Sequence, residues 1–195
     1  MRNHVSHGRL ARKTQGLLWL ARYDEPVLLR PATHDDAEAI RAIYNLEVEA
    51  STVTFDLLPR TEAEQLAWLD EHRGAYPCLV AVATNEEGFD EGAVLGYASL
   101  SPFRDRPAYA TTVENSVYVD RSARGLGVGR SLLEGIVTAA KEQGFHSIIA
   151  RITGQNGVSV TLHQQLGFAT VGIEREVGRK HGVWLDVIEL QLLLD

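Results

Sequence analysis

The chain has 195 residues, enough for one domain with a full core and too few for two independent domains of ordinary size. Apolar residues make up 45% and charged residues 23%, which excludes general disorder. A formal net charge of -7 sets the long-range field against nucleic acid and anionic membrane surfaces, so any anionic ligand needs a local positive site.

Residues 1–25 place Arg2, Arg9, Arg12, Lys13 and Arg22 around a short apolar patch, Gly16-Leu17-Leu18-Trp19-Leu20. The patch is too short for a secretory signal and lacks a clear small-residue cleavage site. The stretch therefore reads as an N-terminal extension, either a surface helix or a start-site extension, ahead of a single domain over residues 26–195. No segment approaches the roughly 18 apolar residues that cross a bilayer. The single cysteine, Cys78, excludes an internal disulfide, and the seven histidines show no zinc spacing with it. No metal is expected, Cys78 reads as a buried strand thiol, and a reducing cytoplasm fits.

Regular pattern begins with a strand at 27–32, followed by Thr33 and Asp36 as a capping box and a helix carrying Ala39, Ile40, Ile43, Tyr44 and Leu46. A second box, Thr61-Glu62-Ala63-Glu64, opens a helix with Leu66, Trp68 and Leu69. Residues 78–84 and 93–101 form an antiparallel hairpin with a long polar loop, and a strand at 111–119 follows. The remainder alternates: a helix over about 127–143, a strand at 146–152, a helix over about 157–166, and strands at 168–174 and 183–193. Gly144 and Gly167 stand where helix C-caps belong. The whole is one mixed α/β unit.

The sharpest local signal is Val117-Tyr118-Val119-Asp120-Arg121-Ser122-Ala123-Arg124-Gly125-Leu126-Gly127-Val128-Gly129-Arg130, a strand entering a glycine turn that opens a helix. Unpaired amides at a helix start carry the positive end of its dipole, and glycines let the main chain approach a diphosphate. Arg124 and Arg130 add charge. No Gly-Lys-Ser/Thr ends the turn and Arg130 fills the third glycine position of a dinucleotide fingerprint, so neither ATP nor NAD is supported.

Arg124-x-x-Gly127-x-Gly129 resembles the pyrophosphate loop of the GNAT superfamily of N-acetyltransferases. Downstream, Asn156, Ser159, His163 and Leu166-Gly167-Phe168 resemble that superfamily's Asn-x-x-Ala-x-x-x-Tyr-x-x-x-Gly-Phe helix, with Ser159 for alanine and His163 for tyrosine. The match narrows to the phosphinothricin and methionine sulfoximine acetyltransferases through Ser51-Thr52-Val53-Thr54-Phe55, Tyr76-Pro77-Cys78-Leu79-Val80-Ala81, Thr112-Val113-Glu114-Asn115-Ser116-Val117-Tyr118-Val119 and Lys180-His181-Gly182-Val183-Trp184-Leu185-Asp186. It spans roughly residues 27–193. The resemblance implies a twisted, mostly antiparallel mixed sheet splayed between its fourth and fifth strands, flanked by helices. Acetyl-CoA would lie in the split, its arm against Val117, Tyr118 and Val119. Its diphosphate would rest on Arg124, Gly125, Leu126, Gly127, Val128, Gly129, Arg130 and Ser131, with Asn156 and Ser159 on the far side. A homodimer through the C-terminal strands is implied as well.

The same resemblance puts the catalytic base at Glu114, which the strand alternation sets beside Ser116 and Tyr118, opposite Val113, Val117 and Val119. Without it, Glu114 would read as a solvent-facing strand residue. His163 takes the superfamily's general-acid position; its other reading is a packing histidine. The oxyanion would meet a backbone N–H near Val119. For the acceptor, Arg73 either clamps a carboxylate or is an exposed helix-end arginine. Phe55 and Tyr109 either wall the pocket or belong to the core, and Lys180 and His181 come from the C-terminal motif. The implied reaction is acetyl transfer to the amino group of a small amino-acid-like molecule of the phosphinothricin, methionine sulfoximine or methionine sulfone class. The alternatives are a same-fold enzyme acting on a protein N-terminus, a polyamine or an antibiotic, and a non-catalytic acetyl-CoA-binding module.

Overall fold

The computed structural model describes residues 27–84 and 88–194, so the extension at 1–25 lies outside the described residues. In chain order the strands are β1 Val27–Pro31, β2 Cys78–Ala83, β3 Val94–Pro102, β4 Thr112–Val119, β5 Ser147–Thr153, β6 Ala169–Lys180 and β7 Val183–Leu193. The helices are α1 Ala37–Ala50, α2 Glu62–Glu71, α3 Val128–Glu142 and α4 Gly157–Gln165. One seven-stranded sheet runs β1-β2-β3-β4-β5-β7-β6, with β4 and β5 parallel and every other neighbour antiparallel. This is the mixed, mostly antiparallel α/β sheet expected from the sequence.

Strand β2 is buried along its whole length because helices cover both faces of the sheet there. Leu79, Ala81 and Ala83 pack with Leu132, Leu133 and Ile136 of α3, while Cys78, Val80 and Val82 pack with Ile40, Tyr44 and Val48 of α1. A side-chain period of two thus divides one strand between two cores. Each fully buried leucine or isoleucine contributes about 1.5–3 kcal/mol.

Both capping boxes form. Thr33 N–H donates to Asp36 at 2.8 Å, and Thr61 N–H donates to Glu64 at 2.8 Å. The first opens a 3-10 turn, His34–Asp36, that leads into α1. Gly144 and Gly167 adopt φ of 81° and 91° just after α3 and α4. Strand β6 extends six residues beyond the expected end at 174, because irregularities between Glu174 and Gly178 let the polar segment resume pairing with β7. Its hairpin closes through His181 and Gly182, both at positive φ (49° and 79°), the geometry of a tight two-residue turn.

Candidate active site

Pairing between β4 and β5 covers only Thr112–Ser147, Val113–Ile148 and Glu114–Ile149. Beyond Glu114, β4 stays with β3 through Val119 while β5 turns to β7, so the sheet splits. Asn115 to Val119 then border a cleft of about 900 Å³ whose other walls are Ala150 to Ile152, the glycine turn and α4. That volume suits a cofactor-sized ligand.

At the end of β4 the Asp120 carboxylate accepts from Ser122 N–H at 2.8 Å, bending the chain into the turn. Gly125 and Gly127 adopt φ of 81° and 85°, a region that costs other L-residues roughly 1–2 kcal/mol. Gly127 is the N-cap of α3. Among the described residues the amides of Gly125, Leu126, Gly127, Val128 and Gly129 donate to no main-chain carbonyl. Such a row of free donors at a helix start fits a diphosphate. A Cβ on Gly129 would lie 3.4 Å from Val119 and 3.5 Å from Leu162, ordinary contact distances, so this first turn of α3 stands directly beside β4 and α4.

The two arginines of the turn are not free cations. Arg124 pairs with Glu47 at 2.7 Å and Arg130 with Glu134 at 3.0 Å, so each charge is partly offset beside the amides. Glu47 also takes Arg121 at 2.8 Å. Burial alone would raise its carboxyl, but hydrogen bonds from Arg121 and Ser51 and the charge of Arg124 outweigh burial and hold it at about 2. Sequence reasoning missed Glu47. The available signal was a charged residue in helical phase with Ile40, Tyr44 and Val48. Leu126 is exposed at the tip of the turn, and Ser131 is buried in the first turn of α3.

On α4, the Asn156 side chain accepts from Ser159 N–H at 3.3 Å and caps the helix. His163 is buried, with Nδ1 2.8 Å from the Ser159 carbonyl and Nε2 3.0 Å from the Asn115 amide nitrogen. A carbonyl only accepts, so the hydrogen-bond network assigns the proton to Nδ1 and leaves Nε2 accepting from Asn115. Burial lowers the His163 pKa and outweighs the Ser159 carbonyl, which alone would raise it. In this arrangement neither ring nitrogen offers a proton to the cleft.

The opposite face of the split carries Glu114, half buried between strands. Burial raises its carboxyl above the usual range, Arg151 pulls it down, and Glu189 and Glu174 push it further up. Nearby, the loop 51–56 is fixed from three sides. Tyr44 OH meets Thr54 Oγ1 at 2.9 Å and donates to Asp56 at 2.5 Å, and the buried Lys180 ammonium donates to the Thr54 carbonyl at 2.9 Å. The Phe55 ring lies on Gly178, where a Cβ would stand 2.7 Å from it.

The structure thus gathers Val117, Tyr118, Val119, Arg124, Gly125, Gly127 to Arg130, Asn156, Ser159 and His163 around one cleft. Glu114 sits where the β4–β5 ladder ends, next to Asn115 of the lining but outside it, and Leu126, Ser131, Phe55 and Lys180 also lie outside the lining, the last two around the loop whose Val53 reaches the cleft. Arg73, Tyr109 and His181 stand apart. Arg73 pairs with Asp70 at 3.0 Å and bonds His34 at 2.7 Å. Tyr109 packs on Phe103 beside a separate hollow formed with Arg104, Asp105 and Arg106, and His181 is exposed at the hairpin tip.

Residues 29–188 match the family model for the acetyltransferase (GNAT) domain. The chain is 40% identical over 161 residues to the phosphinothricin N-acetyltransferase of Streptomyces coelicolor, covering 83% of this chain and 92% of that one. It is 40% identical over 168 residues to the L-methionine sulfoximine/L-methionine sulfone acetyltransferase of Pseudomonas aeruginosa, covering 86% and 94%. A phosphinothricin acetyltransferase from Sinorhizobium meliloti, solved with acetyl-CoA, superposes with a TM-score of 0.80 at 38% identity, covering 87% and 89%. The chain belongs to the GNAT acetyltransferase family. Within it, the protein is an acetyl-CoA-dependent N-acetyltransferase.

Proposed function

We propose that the enzyme acetylates the amino group of a small amino-acid-like acceptor of the phosphinothricin, methionine sulfoximine or methionine sulfone class, with Glu114 as general base. The supporting observation is a coincidence of place: the β4–β5 ladder ends at Glu114, where the cleft bordered by the free amides of the glycine turn begins. Acetyl-CoA would lie along the open edge of Val117 to Val119 with its diphosphate on that turn, Asn156 and Ser159 bounding the far wall.

An arriving α-ammonium has a pKa near 8 and cannot attack while protonated. Glu114, raised by burial, accepts that proton directly or through one water. The free amine attacks the thioester carbon, the carbonyl oxygen becomes an oxyanion facing an amide near Val119, and the C–S bond breaks. The proton still on the attacking nitrogen passes to the departing thiolate, so the step balances without an acid from His163. Phe55 and Lys180 set the acceptor wall by fixing the loop 51–56.

The test is release of coenzyme A thiol from acetyl-CoA with each of the three acceptors, a diamine and a short peptide. Turnover confined to the peptide or the diamine would replace this acceptor class; coenzyme binding without any turnover would replace the enzyme with a binding module. We also propose a homodimer in the cytoplasm, because the edge strand β6 exposes Val171, Ile173 and Val177. Light scattering at micromolar concentration reads the dimer directly.

A further inference from the structure

We propose that Asn115 positions the coenzyme's arm, its side-chain oxygen Oδ1 accepting the N–H of the arm amide nearest the thioester. The proposal rests on the reading above, in which acetyl-CoA lies along β4 with its diphosphate on the glycine turn. Asn115 is the first residue of β4 beyond the β4–β5 ladder, which ends at Glu114. Strand alternation sets it opposite Glu114, on the face of Val113, Val117 and Val119, which pack with Leu132 and Leu133 of α3. It borders the cleft and yet is only 6% exposed, so its polar atoms need partners.

A chain of hydrogen bonds fixes the orientation of its amide. The Ser159 carbonyl accepts the Nδ1 proton of His163 at 2.8 Å, so Nε2 can only accept, and Nδ2 of Asn115 donates to it at 3.0 Å. A flipped amide would set an oxygen against a bare ring nitrogen. With Nδ2 committed to His163, Oδ1 is left buried without a donor. Among the described residues, Gln65 Nε2 and Thr153 Oγ1 are also buried without a partner, and neither of those residues lines the cleft. A buried acceptor left unpaired is costly, and Asn115 is the one of the three that a ligand in the cleft can satisfy.

The coenzyme arm brings a donor at matching spacing. It carries two amides, and two methylene groups separate the thioester sulfur from the nearer amide nitrogen, roughly 4 Å in all. A strand advances about 3.3 Å per residue. A thioester held beside Glu114 therefore brings this N–H about one residue further along β4, to Asn115. His163 serves here as the acceptor that orients the Asn115 amide.

The experiment measures dissociation constants by calorimetry for coenzyme A and for an analogue whose amide nearest the sulfur is replaced by an ester. The proteins are the wild type, Asn115→Leu and Asn115→Asp, and no acceptor is present, so turnover does not enter. The wild type should bind the ester about five- to tenfold more weakly, the net worth of one hydrogen bond. Asn115→Leu should bind coenzyme A more weakly by the same factor and lose the distinction between the two ligands; Asn115→Ala gives the same reading if the leucine variant does not fold. Asn115→Asp keeps an acceptor in place and should keep the distinction. A wild type indifferent to the ester, or an Asn115→Leu protein that discriminates as the wild type does, overturns the proposal and leaves the coenzyme on the glycine turn. Failure of the underlying reading looks different: Gly127→Ala then leaves both constants unchanged, and the proposal falls with the arm's placement along β4.

Discussion

The two sides of the cleft are built by opposite strategies. The coenzyme side is one continuous stretch, β4, turn and α3, whose function depends on main-chain donors and on glycines that permit positive φ. The acceptor side is assembled from distant pieces, with Lys180 reaching Thr54 across 126 positions and Thr52 reaching Gln155 across 103. In the proposed assignment, the coenzyme meets mainly backbone and the acceptor mainly side chains. Substitutions on each side should separate the two kinetically.

The largest effect belongs where the sides meet. Glu114→Gln should lower kcat by about 10²- to 10⁴-fold, the usual worth of a positioned base, with acetyl-CoA affinity retained. Because a base works when deprotonated and burial has raised this carboxyl, activity in the wild type should fall as pH drops through a value above the ordinary carboxylate range. Stopped-flow or steady-state rates across pH 5 to 9 read both claims. A Glu114→Gln enzyme with near-normal turnover would remove the base from the mechanism.

Next comes the coenzyme side. Gly127→Ala forces a Cβ into the left-handed region at φ 85°, costing roughly 1–2 kcal/mol. At about 2–4 °C per kcal/mol for a domain of this size, the Tm should fall by about 2–8 °C. The acetyl-CoA KM should rise about tenfold while the acceptor KM holds. An unchanged acetyl-CoA KM would mean that the turn does not grip the diphosphate.

That asymmetry also explains what could be read from the sequence. Glycines at 125, 127 and 129, and Asn156 with its helix, are local demands that a linear motif records. The seven strands followed from alternation and turn residues, and only β6 ran more than one residue past its expected end, because its second half lacks alternation. Glu47 was harder to find: α1 carries other charges, and what sets Glu47 apart is its place on the buried face with partners, Arg121 and Arg124, that come from another element. Arg73 stands outside the cleft, paired with Asp70 one helical turn away.

A smaller effect, confined to the acceptor, is expected from Lys180→Met. The change keeps the volume and removes the donor to the Thr54 carbonyl, freeing the loop 51–56 at one of its three fixings. The acceptor KM should rise about five- to tenfold, about 1–1.4 kcal/mol and within the usual net worth of one hydrogen bond, with acetyl-CoA KM unchanged. If both constants rise together, the two walls are more tightly coupled than the split suggests.

The least kinetic effect should come from His163→Gln, although this residue sits at the family's acid position. With Nδ1–H committed to the Ser159 carbonyl and Nε2 accepting from Asn115, the ring has no proton to give, so kcat should change less than threefold. Its signature lies instead in stability. The folded pKa is depressed below the ordinary histidine value of 6.5, so folded and unfolded chains are both neutral above that value and the contribution is complete there. As pH falls below 6.5 the unfolded chain binds a proton that the folded chain refuses, and stability is lost toward the folded pKa. Melting curves between pH 8 and pH 5 should therefore fall more steeply for the wild type than for His163→Gln. A hundredfold loss of kcat in the variant, together with loss of the basic limb of the rate profile, would return the acid role to this histidine.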